Sequence, residues 1–153
     1  MQPSSQEPIG LLAAAVKKAI QAAVLHRVEG LGISTLQFWT LVGIAERPTS
    51  CQAELAAHLR MDDPTASRVL RTLRSHGWVR TRRGRSDRRR MQVELTPAGE
   101  QLAARLLPIA RSIRTAVESV LGDEERERTR AALKKIVAHM QELAAGAAPE
   151  LTA

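Results

Sequence analysis

Apolar residues recur every three to four positions through most of this chain, and the places where that period breaks divide it into elements. Ile9, Leu12, Val16, Ala19 and Ala23, with Ile20 and Val24 beside them, mark one face of a first helix after a polar opening, residues 1–8. One apolar position per turn is what a helix needs to bury a side, so the spacing predicts helix rather than strand. The helix stops in Gly30-Leu31-Gly32, and Ser34 supplies a side-chain oxygen to cap a second helix through Leu36, Phe38, Trp39, Leu41, Val42 and Ile44. Pro48 breaks it. A short third helix is predicted over about 52–59 with Leu55, Ala56 and Leu59 inward. A fourth starts near Pro64, a residue suited to a first helical turn, and carries Ala66, Val69, Leu70 and Leu73 to a stop at Gly77.

After Gly77 the period falls to two. Trp78, Val79 and Arg80 lead into arginine-rich sequence around Gly84, and Met91, Val93 and Leu95 then alternate with Gln92 and Glu94, the pattern of a strand with one buried face. The two segments can pair as a hairpin whose tip, Arg83 to Arg90, is too charged to bury. Thr96 caps another helix, in which Leu102, Leu106, Ile109, Ile113, Ala116 and Val120 form a predicted packing seam, expected to be buried by a partner subunit. Pro108 lies inside it and is expected to bend it. A last helix opens at Gly122 or Asp123 and carries Leu133, Ile136, Val137, Met140 and Leu143 before a loose tail. No internal repeat is visible. The fold class is mainly α with a small β-hairpin, α+β.

Charge changes this picture from a fold to a surface. Residues 60–90 hold eleven arginines against Asp62, Asp63 and Asp87, a local net charge of +8 on a chain whose total is +7. The rest is nearly neutral, so the basic stretch reads as a surface built to meet a polyanion. Aromatic residues are only Phe38, Trp39 and Trp78. Proteins that bind single strands or RNA loops stack bases on aromatic rings, so the scarcity favours duplex DNA.

Other classes find less support. The longest apolar run, Ile9 to Val16, is short of the ~20 residues a bilayer requires, and no basic segment precedes it as in a secretory signal, so the expectation is a cytoplasmic protein without a membrane partner. A lone cysteine, Cys51, excludes an intrachain disulfide and is too little for structural zinc, and His58, His76 and His139 lack metal-ligand spacing. No nucleophile–base pair, carboxylate dyad or phosphate-cradling glycine loop appears, so neither an enzyme nor a cofactor is expected.

The order of elements, and four stretches of sequence, resemble the MarR family of winged helix-turn-helix transcription regulators. Asp87-Arg88-Arg89-Arg90-Met91-Gln92-Val93-Glu94-Leu95-Thr96-Pro97-Ala98-Gly99 is similar to the family's D-x-R-x-x-x-L-x-L-T-x-x-G, with Val93 for the first leucine. Gly32-Ile33-Ser34-Thr35-Leu36-Gln37-Phe38 resembles G-L-T-x-x-Q-F, and Gln52-Ala53-Glu54-Leu55-Ala56 resembles Q-x-E-L-A. Thr65-Ala66-Ser67-Arg68 and the run from Leu73 to Gly77-Trp78-Val79 match the recognition helix and the turn into the wing. The resemblance implies a dimerisation helix in 1–33 and a winged helix-turn-helix domain in 34–96, with recognition helix about 63–76 and wing about 78–95. It also implies C-terminal dimerisation helices in 97–145 and a tail in 146–153. The function implied is a homodimeric repressor on a pseudo-palindromic operator, released by a small aromatic or anionic effector. The alternative is a nonspecific or architectural nucleic-acid-binding protein.

For DNA contact, inward Leu70 and Leu73 leave Thr65, Arg68, Arg71 and Thr72 outward on the fourth helix. Thr65 and Ser67 are short donors, and Arg68 has the fork to grip guanine or phosphate; the plainer reading of the hydroxyls is capping. Arg71 stands where the family often has an acidic or amide residue. By the resemblance Arg89 enters the minor groove, while Arg82, Arg83, Arg85, Arg88 and Arg90 are phosphate contacts or a solvated loop. Asp87 reads as an anchor for these arginines, since a carboxylate beside a polyanion needs a partner. The family's effector site would correspond to His26, Arg27 and Trp39, with Arg105 as a further candidate. Cys51 falls at the start of the third helix, where a redox role competes with that of a small half-buried thiol.

Overall fold

The computed structural model describes residues 7–84 and 89–146, and its chain divides into two compact units, one ending at Ile113 and one beginning at Arg114. In the first, α1 spans Ile9–Arg27, α2 Thr35–Glu46, α3 Gln52–Leu59 and α4 Asp63–Ser75. Strands β1 (Val79–Arg83) and β2 (Met91–Leu95) follow, and then α5 (Pro97–Glu118), whose last turn belongs to the second unit with α6 (Asp123–Ala144).

The first unit is built around α2. This helix is apolar on nearly every side, as a helix surrounded by others must be, and Phe38, Leu41, Val42 and Ile44 are buried. Its start is fixed by a capping box, in which Gln37 N–H donates to Ser34 Oγ (3.2 Å) and Ser34 N–H to Gln37 Oε1 (2.7 Å). Thr40 is buried among the apolar residues, and its hydroxyl donates to the Leu36 carbonyl (2.7 Å), so no polar group is stranded. Leu55 of α3, Leu70 and Leu73 of α4, Val24 of α1 and Leu106 of α5 complete the core.

The strands pair antiparallel with Val79 opposite Leu95, Thr81 opposite Val93 and Arg83 opposite Met91. Val79 and Val93 turn one face into the core, and the other face carries Arg80, Arg82, Gln92 and Glu94. A third, very short strand lies on the free edge of β2: Val93 N–H donates to the Ser50 carbonyl (2.9 Å), and Cys51 bridges to Gln92. Two residues are too few to show alternation, so the sequence gives no sign of it.

Three expectations need correction or refinement. Leu106 is fully buried in the core of the first unit, with Ala110 and Ile113, so the predicted seam is intramolecular up to that point. Ala116 beyond it is exposed, and Val120 lies past the helix end. Pro108 lies inside α5, which runs from Pro97 to Glu118 as the continuing apolar spacing requires. Finally, α1 is by length and composition apolar enough to cross a membrane, more so than its longest apolar run implied. Lys17 and Lys18 stand at its middle, where each would cost about 2.5–3.5 kcal/mol in hydrocarbon. Only Val24 of this helix is buried, while Ile9, Leu12 and Val16 are 63, 46 and 53% exposed.

In the second unit α6 opens with Asp123, Glu124 and Glu125, acids that suit the positive end of a helix, and Glu125 accepts from Gly122 N–H (2.8 Å). Arg130 ties it to the end of α5 through Glu118 (3.2 Å) and also pairs with Glu127. No residue of α6 is buried, and Leu133, Ile136 and Met140 present a bare apolar stripe.

Candidate nucleic-acid interface

Two elements of the first unit bring arginines to its surface, and each is locked by local chemistry. The turn from α3 to α4 passes through Arg60, whose φ of 53° lies in the left-handed region. Asp62 then caps α4, accepting from Thr65 N–H at 2.7 Å, and Pro64 sits in the first turn, where its missing N–H costs nothing. Hydrogen bonds from the Thr65 side chain and backbone, with Arg68 nearby, hold the Asp62 carboxyl below the usual carboxylate range. Thr65 is therefore engaged at the cap and half-buried.

The outer side of α4 is as the apolar pattern requires. Ala66, Val69, Leu70 and Leu73 are buried, Arg68 and Arg71 are exposed, and Ser67 is half-buried between them. Thr72 is also half-buried, and its hydroxyl donates to the Arg68 carbonyl (3.2 Å) rather than standing free. The helix stops at Gly77, whose φ of 73° an L side chain rarely adopts, and His76 stacks on Trp78 across that turn with ring centroids 4.4 Å apart.

In the hairpin, Arg80 of β1 pairs with Glu94 of β2 at 3.3 Å. Arg83 ends β1 exposed, and Gly84 N–H donates to the Arg90 carbonyl (2.8 Å), which closes the base of the tip. Arg89 is exposed just past the tip. Arg85, Asp87 and Arg88 lie outside the described residues, so the anchoring role expected of Asp87 has no geometry here. Arg90, expected as a phosphate contact or part of a solvated loop, pairs with Glu54 of α3 and lies within 3.7 Å of Cys51 Sγ. Sequence reading missed this pair. Glu54 stands three residues after the helix cap, the position of a capping-box acid, but cysteine at the cap disguised the motif.

The residues expected to line an effector site lie on α1 and α2. His26 and Arg27 are exposed in the last turn of α1, and Trp39 is half-buried with its ring edge-on to Phe38. None of them lines the cavity of about 660 Å³ between the end of α2, the outer face of the hairpin and the start of α5. Its walls include Ile44, Pro48, Arg80, Arg82, Glu100 and Leu107. Among the described residues no group of three His, Cys, Asp or Glu is placed to hold a metal ion.

Comparison with known proteins locates this geometry. A sequence profile of the MarR family matches residues 31–90, from the turn before α2 to the base of the hairpin tip. The transcriptional repressor NicR of Pseudomonas putida is 30% identical over 105 residues, which are 69% of this chain and 66% of NicR. The transcriptional regulator BilQ of Clostridium symbiosum is 30% identical over 108 residues, 71% of this chain and 74% of BilQ. The S. aureus MepR–DNA complex superposes with a TM-score of 0.78 at 22% identity, covering 90% of this chain and 99% of that one. Shared sequence through the helix-turn-helix and hairpin, and a shared fold well beyond them, make this chain a member of the MarR family.

Proposed function

We propose that this protein is a sequence-specific DNA-binding transcriptional regulator, acting in the cytoplasm as a homodimeric repressor and not as an enzyme. The observation that carries the reading is that α4 and the hairpin, in one compact unit, both turn arginines outward: Arg68 and Arg71 from the helix, Arg83 and Arg89 from the wing. A helix of this kind fits the major groove, and a projecting arginine fits the narrow minor groove beside it. That relatives include a repressor, NicR, and that MepR has been captured with DNA, supports the same reading.

The bare apolar faces of α1 and α6 support dimerisation, because a second copy would bury them at ~25 cal/mol per Å². Two half-sites about one helical turn apart would then match the two-fold axis. For an effector, the cavity lined by Arg80, Arg82, Glu94 and Glu100 is a candidate seat, since it joins apolar walls to charged groups on the wing's own strands, with Arg80 already paired to Glu94. Selection of bound fragments from random duplex DNA tests the function. A regulator enriches a pseudo-palindrome, whereas an architectural protein enriches no sequence.

A further inference from the structure

Glu54 is an acid in the first turn of α3, close to a surface rich in arginines. Its Oε2 accepts from Cys51 N–H at 3.0 Å, capping the helix, while its Oε1 accepts from Arg90 Nη2. Arg90 also approaches Cys51 Sγ at 3.7 Å, and its carbonyl accepts from Gly84 N–H to close the wing tip. The same segments are joined through the backbone by Val93 N–H to the Ser50 carbonyl and by the Cys51–Gln92 bridge. Both side chains of the ion pair are about half exposed (48 and 51%), so the pair adds little to folding. What it adds is direction. One end sits on the helix that leads into α4, and the other on the residue next to Arg89.

We infer that Glu54 is a positioning residue for DNA recognition, tethering Arg90 so that the wing is held at a fixed angle to α4. The inference rests on the DNA-binding reading. Charge alone makes the opposite demand, because an acid near the phosphates weakens binding to every sequence, and its removal strengthens binding. The sign of the effect therefore separates the two.

The test is Glu54→Gln, which keeps an acceptor for Cys51 N–H and removes the charge from Arg90, with Arg90→Gln and the double variant completing a cycle. Specific affinity in Glu54→Gln is expected to fall about tenfold, as for coupled groups in one network, while affinity for scrambled duplex holds or rises. The double variant is expected to be no weaker than Arg90→Gln alone. In the free protein, amide exchange at Gly84 and Val93 is expected to quicken in both single variants with only a small change in Tm. Unchanged or tighter specific binding by Glu54→Gln overturns the inference, as does additivity in the cycle. A wild-type protein with no specific site would defeat the DNA reading instead, and the exchange rates would still decide the tether. If Glu54→Gln fails to fold, Arg90→Gln, which leaves the cap intact, is read by exchange at Gly84 and Val93 and by the ratio of specific to scrambled affinity: a fall in that ratio is expected, and an equal loss on both duplexes with unchanged exchange overturns the inference.

Discussion

Gly99 lies so close to Trp78 that a methyl group on its Cα would sit 1.9 Å from the Trp78 carbonyl oxygen. The contact locks the first turn of α5 onto the root of the wing, where Thr96 N–H donates to the same carbonyl (3.0 Å) and Gly99 N–H to Thr96 Oγ1 (3.1 Å). No side chain can be accommodated without moving backbone. Gly99→Ala is expected to destabilise the protein by about 3 kcal/mol, read as a shift of the urea midpoint, and an unshifted midpoint would show that the junction yields.

Leu106 and Val16 are both apolar helix residues of the first unit, yet they should fail differently. Leu106→Ala hollows a sealed core and is expected to cost about 2–5 kcal/mol. Val16→Glu, on a face that is 53% exposed in one chain, should leave the fold intact and give monomers in sedimentation. A stable dimer of Val16→Glu would place the interface away from this face of α1.

Arg89→Ala tests the wing. Loss of a groove-inserted arginine is expected to lower specific affinity on the order of 10- to 100-fold without changing the dimer. Normal operator affinity in a titration would remove Arg89 from the interface.

Cys51 occupies the cap position of α3, a place where serine is among the best residues. Cys51→Ser is expected to raise stability by about 0.5–1 kcal/mol and to leave DNA affinity and its response to peroxide unchanged. A peroxide response that disappears with the thiol would make Cys51 a sensor.

Acid should loosen the helix starts. The Cys51 backbone N–H and then Arg90 hold the Glu54 carboxyl below its usual range, and Thr65 does the same for Asp62. Acids lowered in the folded state stabilise it above their ordinary values, and the contribution disappears as pH falls through the lowered ones. Unfolding measurements should thus show little change attributable to these groups above the ordinary carboxylate range and a decline below it. In Asp62→Asn, which keeps a cap but cannot titrate, the decline should be shallower.

Much of this was legible in the sequence because the elements are long and strongly periodic. Ser34 and Thr96 cap the helices they were expected to cap, and the inward set Val69, Leu70 and Leu73 left Arg68 and Arg71 outward. Periodicity reports which face is apolar but not what covers it. Leu106 and Val16 therefore looked alike, although one is sealed in its own core and the other is about half exposed. Contacts between distant segments were also hidden. Glu54 and Arg90 are 36 residues apart, and the bridge between Cys51 and Gln92 lies beside the pair.

The most direct measurement is a titration of the purified protein on DNA from immediately upstream of its own coding region, against scrambled competitor at fixed salt. A sequence-specific regulator gives a protected footprint of one or two helical turns (~10–20 bp) that survives competitor and is bound by a dimer. Binding erased by competitor there, together with no enriched sequence in the random-duplex selection, would contradict that function.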